Sequence, residues 1–258
     1  MSNIEVTLHV TSYNRPSRLK NCIDSFFKSS TYDMSKLEMI IVDNGSTDER
    51  VLSYIKELSP PCQKYTYILN PENDYPSCLR YSKIQARKIA NGKYFIDCPD
   101  DHLFVVKSDW IETCISHLLE DETAGCTVHF AQPAYRFLKQ NNKMSKNEKN
   151  ELFFRSHLKG YADYHVMRRD VYEELGPYDY ALGRKAEDEY MVRALENGYF
   201  RNIIKFPVAI VNDDLYESTG IIDQKIYEDK FRDIEIPVSN EQLTELGLEL
   251  GAIGRATK

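Results

Sequence analysis

The sequence predicts an α/β protein with one mostly parallel central sheet and helices on its faces. Short apolar, β-branched runs alternate along the chain with segments in which apolar residues recur every three or four positions. The composition, 42% hydrophobic and 28% charged, is that of an ordinary globular protein and excludes fibrous and disordered classes. The length of 258 residues fits a single domain of this class with a sizeable core.

Predicted strands and helices alternate along the first half of the chain. Residues 6–10 form the first apolar run, which ends at the polar loop 11–16. Similar runs predict four more strands, at 39–42, 65–69, 93–96 and 125–130. Apolar spacing of three and four predicts helices at 19–27, 77–89 and 110–119. Ser46, with Glu49 three residues later, fits a capping box that opens one more helix.

The second half of the chain is less regular. Residues 139–151 contain four lysines and four asparagines, and they predict a long loop that is either a functional lid or unstructured. The block 165–211 contains a turn at 176–177 and a helix that opens at 187. Two amphipathic helices are predicted in the tail, at 222–231 and 241–250.

The net charge of −7 is concentrated in residues 213–258, which carry 11 acidic and 5 basic side chains. The rest of the chain is nearly neutral and lacks the basic field that binding along a nucleic acid requires, so we expect no nucleic-acid partner. A small anionic ligand is still compatible with this charge. The composition of 213–258 fits a docking or homodimer surface and a solvated cap equally well.

Targeting and cysteine patterns indicate a reducing compartment. No apolar run approaches the ~18 residues of a membrane span, and the first ten residues lack the pattern of a secretory signal. We therefore expect a cytoplasmic protein without a transmembrane segment, either free or peripheral to the inner face of the membrane. The six cysteines include no Cys-x-x-Cys pair, which favours reduced thiols over disulfides or structural zinc.

Polar side chains follow three of the predicted strands. Ligands of open parallel sheets bind beyond the carboxyl ends of the strands. The Asp100-Asp101 pair offers hard oxygen ligands to Mg²⁺ or Mn²⁺, although a solvated acidic turn has the same sequence. Tyr13 can stack on a base, Arg15 can pair with a phosphate, and Asp43 can accept a hydrogen bond from a base, but each also has a local structural role.

The common nucleotide-binding and catalytic signatures are missing from the sequence. It contains neither Gly-x-Gly-x-x-Gly nor the Gly-x-x-x-x-Gly-Lys-Ser/Thr phosphate loop, so a nucleotide must be held in another way. The histidines show no metal-ligand spacing, and only His102, beside the acidic pair, stands near a candidate site. The candidate chemistry is therefore based on carboxylates and a metal ion.

Glu187 and Asp188 form a second acidic pair, at the start of a predicted helix. At about 100° per residue both point toward the apolar side of that helix, and a partly desolvated carboxylate is a better general base. Acids in a first turn also complement the helix dipole. The helical wheel places Glu187 nearer the centre of the apolar face, so periodicity does not select Asp188.

Four motifs, in order along the chain, resemble GT-A glycosyltransferases of the large inverting family 2. They are VTLHVTSYNRP at 6–16, IIVDNGSTD at 40–48, Gly92-Lys93-Tyr94 leading into Pro99-Asp100-Asp101, and LGPYD at 175–179 followed by Glu187-Asp188. The resemblance covers residues 4–211. It implies a GT-A fold in a domain at 1–212, with a nucleotide-sugar half at 1–104 and an acceptor half at 105–212. An acidic, helical C-terminal extension then occupies 213–258.

The resemblance also implies a donor site. The residues that it assigns to the donor are Thr11, Tyr13, Arg15, Asp43, Lys83 and Asp100. The first four hold the nucleoside, Lys83 replaces an arginine near the nucleotide, and Asp100 contacts the ribose. Asp101 binds Mn²⁺ or Mg²⁺, and Asp188 is the base. Two departures from the family pattern are Pro99 in the first acidic position of the metal motif and the absence of a late histidine, for which Asn212, Asp213 or Asp214 can substitute.

The function implied is that of a metal-dependent, inverting glycosyltransferase of the hexosyltransferase type. Its donor is a nucleoside-diphosphate sugar, a UDP-sugar first of all, and its acceptor is a hydroxyl group of a polysaccharide, glycolipid or small natural product. The alternative is a non-catalytic sugar-nucleotide or glycan-binding module on the same fold. Nucleotidyl transfer is a third interpretation, but it requires more basic residues near a triphosphate.

Overall fold

A nine-stranded sheet with helices on both faces forms the centre of the computed structural model. The structure describes residues 3–73, 78–104, 107–128, 131–132, 144–146, 152–156, 165–179, 181–182, 186–204, 209–211, 221–223 and 249–251. The helices are α1 (Pro16–Ser29), α2 (Glu49–Glu57), α3 (Cys78–Ile89), α4 (Trp110–Glu120), α5 (Arg169–Leu175) and α6 (Ala186–Glu196), with a 3₁₀ turn at Met34–Lys36.

The strands fall into three sheets. In chain order they are β1 (Val6–Ser12), β2 (Leu37–Asp43), β3 (Lys64–Leu69), β4 (Tyr94–Pro99), β5 (His102–Phe104), β6 (Ala124–Val128), β7 (Ala131–Gln132), β8 (Met144–Lys146), β9 (Leu152–Ser156), β10 (His165–Arg168), β11 (Phe200–Ile204), β12 (Ala209–Val211), β13 (Ile221–Asp223) and β14 (Glu249–Gly251). Strands β5, β12 and β7 form a small second sheet, and β13 pairs with β14.

The order in the main sheet is β3-β2-β1-β4-β10-β6-β11-β9-β8. Strands β10 and β9 run antiparallel to both of their neighbours, and the other neighbouring pairs are parallel. The strands other than β10 and β9 therefore share one direction, which confirms the predicted mostly parallel sheet. The parallel block β3-β2-β1-β4 is built from consecutive β-α-β units with α1, α2 and α3 as the crossovers.

The two faces of β1 differ in polarity. Val6, Leu8 and Val10 pack in an apolar core with α1, α2 and α4. Because side chains alternate along a strand, the polar residues at 7, 9 and 11 point to the opposite face. Helices α3 and α6 cover that face through the apolar clusters that contain Ala86 and Tyr190. The face of the parallel block that α3 and α6 cover is therefore partly polar.

Helix α2 begins differently from the sequence prediction. Its N-cap is Asp48, whose side chain accepts a hydrogen bond from the N–H of Arg50. The predicted capping box of Ser46 and Glu49 is wrong, because the Ser46 hydroxyl instead donates to Asp43 at 2.5 Å. Ser46 therefore closes the loop after β2 and does not cap the helix.

Two irregular regions also differ from expectation where they are described. Within the predicted loop 139–151, residues 144–146 form β8, which pairs with β9 at the margin of the main sheet. In the extension, 221–223 and 249–251 form the parallel pair β13 and β14, whereas helices were predicted at 222–231 and 241–250. The remaining residues of these segments lie outside the described part of the chain.

The structure describes the side chains of four of the six cysteines. Cys22, Cys62, Cys98 and Cys114 are free thiols. Cys22 and Cys98 are buried side by side, with 3.5 Å between their sulfur atoms. Among the helices that the structure describes, none is both long and apolar enough to cross a bilayer.

Candidate functional site

Strands β2, β1 and β4 end side by side at one edge of the sheet, which we call the carboxyl edge. The register pairs Ser12 with Asp43 and Thr11 with Pro99. The loops that follow the three strands are therefore adjacent. The polar segments at 13–15, 43 and 100–101, which lie far apart in the sequence, meet at this edge.

Asn14 joins the loop after β1 to the loop after β2. Its φ of +49° lies in the left-handed region, which asparagine tolerates better than most residues. Its N–H donates to the Ser46 hydroxyl at 2.8 Å, and its side-chain oxygen accepts from the N–H groups of Thr47 and Asp48 at 2.8 and 3.0 Å. Asn14 therefore fixes the positions of its neighbours, Tyr13 and Arg15.

Tyr13 and Asp43 occupy contrasting positions at the carboxyl edge. Tyr13 is 39% exposed, so its ring is available for stacking. Asp43 is fully buried, and its two oxygens accept from the N–H of Ser46 at 2.7 Å and from the Ser46 hydroxyl at 2.5 Å. Burial raises the pKa of Asp43, and the bonds from Ser46 oppose this rise. The main-chain N–H of Gly45 also favours the ionised form of Asp43.

Arg15 covers the acidic pair that follows β4. Its Nη2 lies 2.5 Å from Asp100 Oδ1, and its Nη1 lies 3.9 Å from Asp101 Oδ2. The Asp100 side chain is entirely buried, whereas Arg15 is 30% exposed. Arg15 and the main-chain N–H of Tyr13 both favour the ionised form of Asp100. Burial raises the pKa of Asp100 to about 7, and Arg15 opposes this rise.

The His102 imidazole supports Asp101 from inside the protein. Its Nδ1 lies 3.0 Å from the Pro99 carbonyl oxygen and 3.0 Å from Asp101 Oδ1. A carbonyl oxygen only accepts hydrogen bonds, so Nδ1 carries the proton and its positive end faces the carboxylate. Burial favours a higher pKa for Asp101, but His102 and Arg15 outweigh it and hold the pKa below its usual range. Asp101 is thus held as an anion.

A buried group of charged side chains, which we call the Asp97 cluster, lies beneath the edge on the α3 face. It consists of His9, Lys83, Arg87 and Asp97, each at most 6% exposed. Asp97 accepts from Arg87 Nη2 at 2.5 Å and from His9 Nδ1 at 3.0 Å, with Lys83 Nζ at 3.9 Å. These three groups overcome burial and hold the pKa of Asp97 well below its usual range. Burial lowers the pKa of His9, which is therefore neutral.

The structure places Thr11 and Lys83 beneath the carboxyl edge, apart from the exposed side chain of Tyr13. Because His9 donates through Nδ1, its Nε2 accepts from the Thr11 hydroxyl at 3.2 Å. That hydroxyl also meets the Ser82 hydroxyl at 2.9 Å. Lys83 is 4% exposed and lies 5.6 Å from the centre of the Tyr178 ring. The donor-binding roles of Thr11 and Lys83 stay predictions, and their geometry favours support of the edge from below.

The residues of the acidic pair fit a divalent cation. Asp101 Oδ2 lies 3.9 Å from Arg15 Nη1, and the adjacent Asp100 carboxylate is buried beside the same guanidinium. Such hard oxygens are the ligands that Mg²⁺ and Mn²⁺ prefer. Across the described ranges, no group of three His, Cys, Asp or Glu side chains is placed to hold a metal ion. Diphosphate and water oxygens would complete the shell, as is usual for Mg²⁺. The candidate third ligands Asn212, Asp213 and Asp214 lie outside the described residues.

Helix α6 carries the second acidic pair toward the carboxyl edge. The helix ends at Glu196, and β11 then begins at Phe200, which pairs with the first residue of β6 at the opposite, amino edge. The helix therefore runs from the carboxyl edge toward the amino edge, and its first turn contains Glu187 and Asp188. The side chains of these two residues lie outside the described part of the structure, so the choice between them stays open.

His9, Arg87 and Asp97 of the Asp97 cluster were not among the predicted site residues, whereas Lys83 was. The polar residues at 7, 9 and 11 alternate with Val6, Leu8 and Val10, and this period of two indicates a strand with one polar face. The sequence interpretation treated 6–10 as a uniformly apolar run. Arg87 gave no such signal, because a basic residue near the end of an amphipathic helix is usually exposed.

Comparison with protein families gives one match over most of the chain. The model described as Glycosyl transferase family 2 matches residues 7–176. The match begins in β1 and ends after α5, so it includes the carboxyl edge and stops before Glu187. A search of curated proteins finds no match for this sequence.

Solved structures with the same fold include two glycosyltransferase systems. The chain is similar to the mannosyltransferase PcManGT from Pyrobaculum calidifontis in complex with GDP-Man and Mn²⁺, at 20% identity and a TM-score of 0.61, covering 80% of this chain and 56% of that one. It is also similar to S. aureus TarS 1–349 in complex with UDP-GlcNAc, at 11% identity and a TM-score of 0.64, covering 94% and 72%. The chain thus spans little more than half of the mannosyltransferase. At these identities the similarity shows the fold, which is the GT-A fold.

Proposed function

Because this chain belongs to glycosyltransferase family 2, we propose that it is a metal-dependent, inverting enzyme that transfers a hexose from a UDP-sugar to a hydroxyl group. The acceptor class is a polysaccharide, a glycolipid or a small natural product. The main support is the carboxyl edge, where an exposed aromatic ring, a buried aspartate and an acidic pair come together. This arrangement provides one group for each part of a nucleoside-diphosphate sugar.

The donor is bound in this proposal by groups from three strand ends. Tyr13 stacks on the base, and Asp43 accepts a hydrogen bond from a base N–H. Asp100 contacts the ribose, and Asp101, held by His102, is the protein ligand of a divalent ion. When bound, that ion neutralises charge on the departing diphosphate. The bound Mn²⁺ and nucleotide sugars of the structural neighbours belong to those proteins and support this assignment only by analogy.

The transfer step requires a base on the acceptor side of the sugar. A carboxylate of the second acidic pair, Asp188 by family resemblance, takes the proton from the acceptor hydroxyl. The hydroxyl oxygen forms a bond to the anomeric carbon as the bond from that carbon to the diphosphate oxygen breaks, and the nucleoside diphosphate leaves with the electron pair. Attack from the side opposite the leaving group inverts the configuration.

Donor binding is the first test, because it does not require a known acceptor. Calorimetric titrations with UDP, GDP and dTDP and their sugars, with and without Mn²⁺, will identify the nucleotide and the metal dependence. We expect Asp101→Asn to lower Mn²⁺-dependent UDP affinity at least about tenfold, since it removes a charged metal ligand. Asp24→Asn is the matched control, because Asp24 lies in α1 and pairs with Lys20 on the surface. Equal UDP binding by the wild type and Asp101→Asn would contradict the metal assignment.

Catalysis is tested by release of UDP from the donor and by the stereochemistry of the product. Asp188→Asn is expected to retain donor binding but to lose transfer by roughly a hundredfold or more. If only Glu187→Gln has this effect, the base is Glu187, as the helical wheel suggests. A protein that binds donor but transfers sugar to no acceptor, and whose donor is not hydrolysed, would instead be a binding module.

A further inference from the structure

The Arg15 guanidinium is the shared counter-ion of the Asp100 and Asp101 carboxylates. One of its Nη atoms approaches Asp100 and the other approaches Asp101. The guanidinium therefore serves the same two carboxylates that fit a divalent ion. Two cations cannot share these carboxylates without repulsion, because their interaction at ~4 Å in a partly buried site is strong.

The Arg15 side chain can leave this position without disturbing the fold. Arg15 is the N-cap residue of α1, and its side chain makes no capping hydrogen bond. Its place in the helix is fixed by the main chain, because its carbonyl oxygen accepts from the N–H of Leu19 at 3.0 Å. The side chain is also 30% exposed. Its removal from the aspartates therefore needs only rotation of a long side chain.

Departure of Arg15 alone is unfavourable. Asp100 is fully buried, the Arg15 guanidinium is the cation that lies 2.5 Å from it, and the adjacent carboxylate of Asp101 has the same sign. A buried carboxylate that loses its counter-charge is strongly destabilised. A second cation at these carboxylates offsets that loss, and an anion gives the guanidinium a new partner. A metal ion and a diphosphate meet both requirements together.

We propose that Arg15 neutralises Asp100 and Asp101 in the donor-free protein and moves to the diphosphate when a metal ion takes its place. This inference rests on the proposed function. It makes metal and nucleotide binding mutually dependent, so each ligand raises the affinity for the other by the same factor. Arg15 is then a positioning residue that couples the two binding events, in addition to any contact with the donor.

The test measures binding of Mn²⁺ alone, of UDP alone and of each in the presence of the other. Calorimetry or the electron paramagnetic resonance signal of free Mn²⁺ provides the constants. The variants are Arg15→Gln, which removes the cation, and Arg15→Lys, which retains it. Arg18→Gln is the matched control, because Arg18 is in the same helix and acts on the two aspartates only at longer range. Circular dichroism and thermal melting of each variant confirm that it is folded.

If Arg15 had only a structural role or only contacted the nucleotide, its removal would not raise the affinity for Mn²⁺ alone. Arg15→Gln should bind Mn²⁺ alone about tenfold more tightly than the wild type, and its coupling with UDP should fall to the part that direct contact between the ion and the diphosphate provides. Arg15→Lys should keep the weak binding of Mn²⁺ alone and the coupling. Arg18→Gln should change the Mn²⁺ affinity much less than Arg15→Gln.

The outcomes separate this inference from the proposed function. If the wild type binds Mn²⁺ and UDP together but Arg15→Gln gains no affinity for Mn²⁺ alone, the proposed function stands and the inference is wrong. A gain of the same size in Arg18→Gln also contradicts the inference, because the effect is then one of net charge. If the wild type binds no nucleotide with or without Mn²⁺, the proposed function is wrong and the inference fails with it.

Discussion

The Asp97 carboxylate is charged but buried away from water, since its side chain is only 1% exposed. Removing a carboxylate from water is costly, and only close counter-charges with good hydrogen bonds offset that cost. Arg87 and His9 provide those bonds, and Lys83 adds a further positive charge. The cluster therefore stabilises the protein only when all of its members are present.

We expect Asp97→Asn to lower the free energy of unfolding by about 3–5 kcal/mol, because it leaves Arg87 buried without a counter-charge. Urea denaturation provides the measurement. Asp170→Asn is the control, since the ion pair of Asp170 with Arg168 is largely exposed and is worth roughly 0–1 kcal/mol. The double variant Asp97→Leu, Arg87→Met should recover part of the loss. Equal effects of Asp97→Asn and Asp170→Asn would show that the cluster is not a stabilising unit.

His9 predicts a pH dependence of stability. Burial lowers its pKa in the folded state below the unfolded value of 6.5, against the raising effect of Asp97, and Arg87 and Lys83 also disfavour its protonation. In the window below pH 6.5 the unfolded chain thus binds more protons than the folded one, so the free energy of unfolding falls as the pH falls. His9→Asn retains a side-chain donor but does not titrate. Its stability should decline less between pH 7 and pH 5 than that of the wild type, and parallel curves would rule out His9 as the cause.

The loops at the carboxyl edge depend on close approach of main-chain segments as well as on side chains. Gly45 has a φ of +80°, and a Cβ at this position would lie 2.4 Å from the carbonyl carbon of Glu72. The main chain at 72–73 thus packs directly on the loop after β2. Only glycine fits both the conformation and the space.

Gly45→Ala is therefore expected to lower the free energy of unfolding by more than about 2 kcal/mol and to weaken nucleotide binding, because the loop after β2 must move. Gly198→Ala is a matched control. Its φ of +85° imposes a similar conformational cost of roughly 1–2 kcal/mol, but no atom lies within 4 Å of the added Cβ. If both variants lose equal stability and bind nucleotide alike, the contact with residue 72 is unimportant.

The sequence predicted the regular elements of the parallel block well, because the signals for them are local. The predicted strand at 39–42 and helix at 77–89 correspond to β2 and α3 within a few residues. Strands β8 and β9 were missed, because a short strand in a polar segment is defined by its partner and not by its own residues. The capping of α2 was also missed, since Asp48 and Ser46 are both acceptable caps and tertiary bonding to Asp43 decided between them.

At the candidate site, the sequence predicted where the polar segments lie but not how deeply their side chains are buried. Asp100 and Asp101 follow a recognisable strand, so their position at the carboxyl edge followed from topology alone. The packing of loops and helices decides that Arg15 covers these two aspartates and that Lys83 lies beneath the edge. Such packing joins residues far apart in sequence and leaves no periodic signal.

At the scale of the whole molecule, β4 is the boundary between two kinds of architecture. On one side, β1, β2 and β3 run parallel to it and are joined by helices. On the other side, β10 is antiparallel to it and begins a mixed set of strands. The donor half at 1–104 and the acceptor half at 105–212 stay predictions, and the acidic pair follows directly from β4.

Arg87 spans this boundary. Its guanidinium carbon lies 4.5 and 5.0 Å from the ring centres of Tyr172 and Tyr178 on one side, while its Nη2 bonds to Asp97 on the other. Separation of Tyr172 and Tyr178 from β4 would therefore expose a buried charge. Amide hydrogens in β1 and β10 should consequently exchange with the same opening free energy, through one cooperative unit. Two separate exchange classes, divided at β4, would mean that the strands on the two sides of β4 open independently.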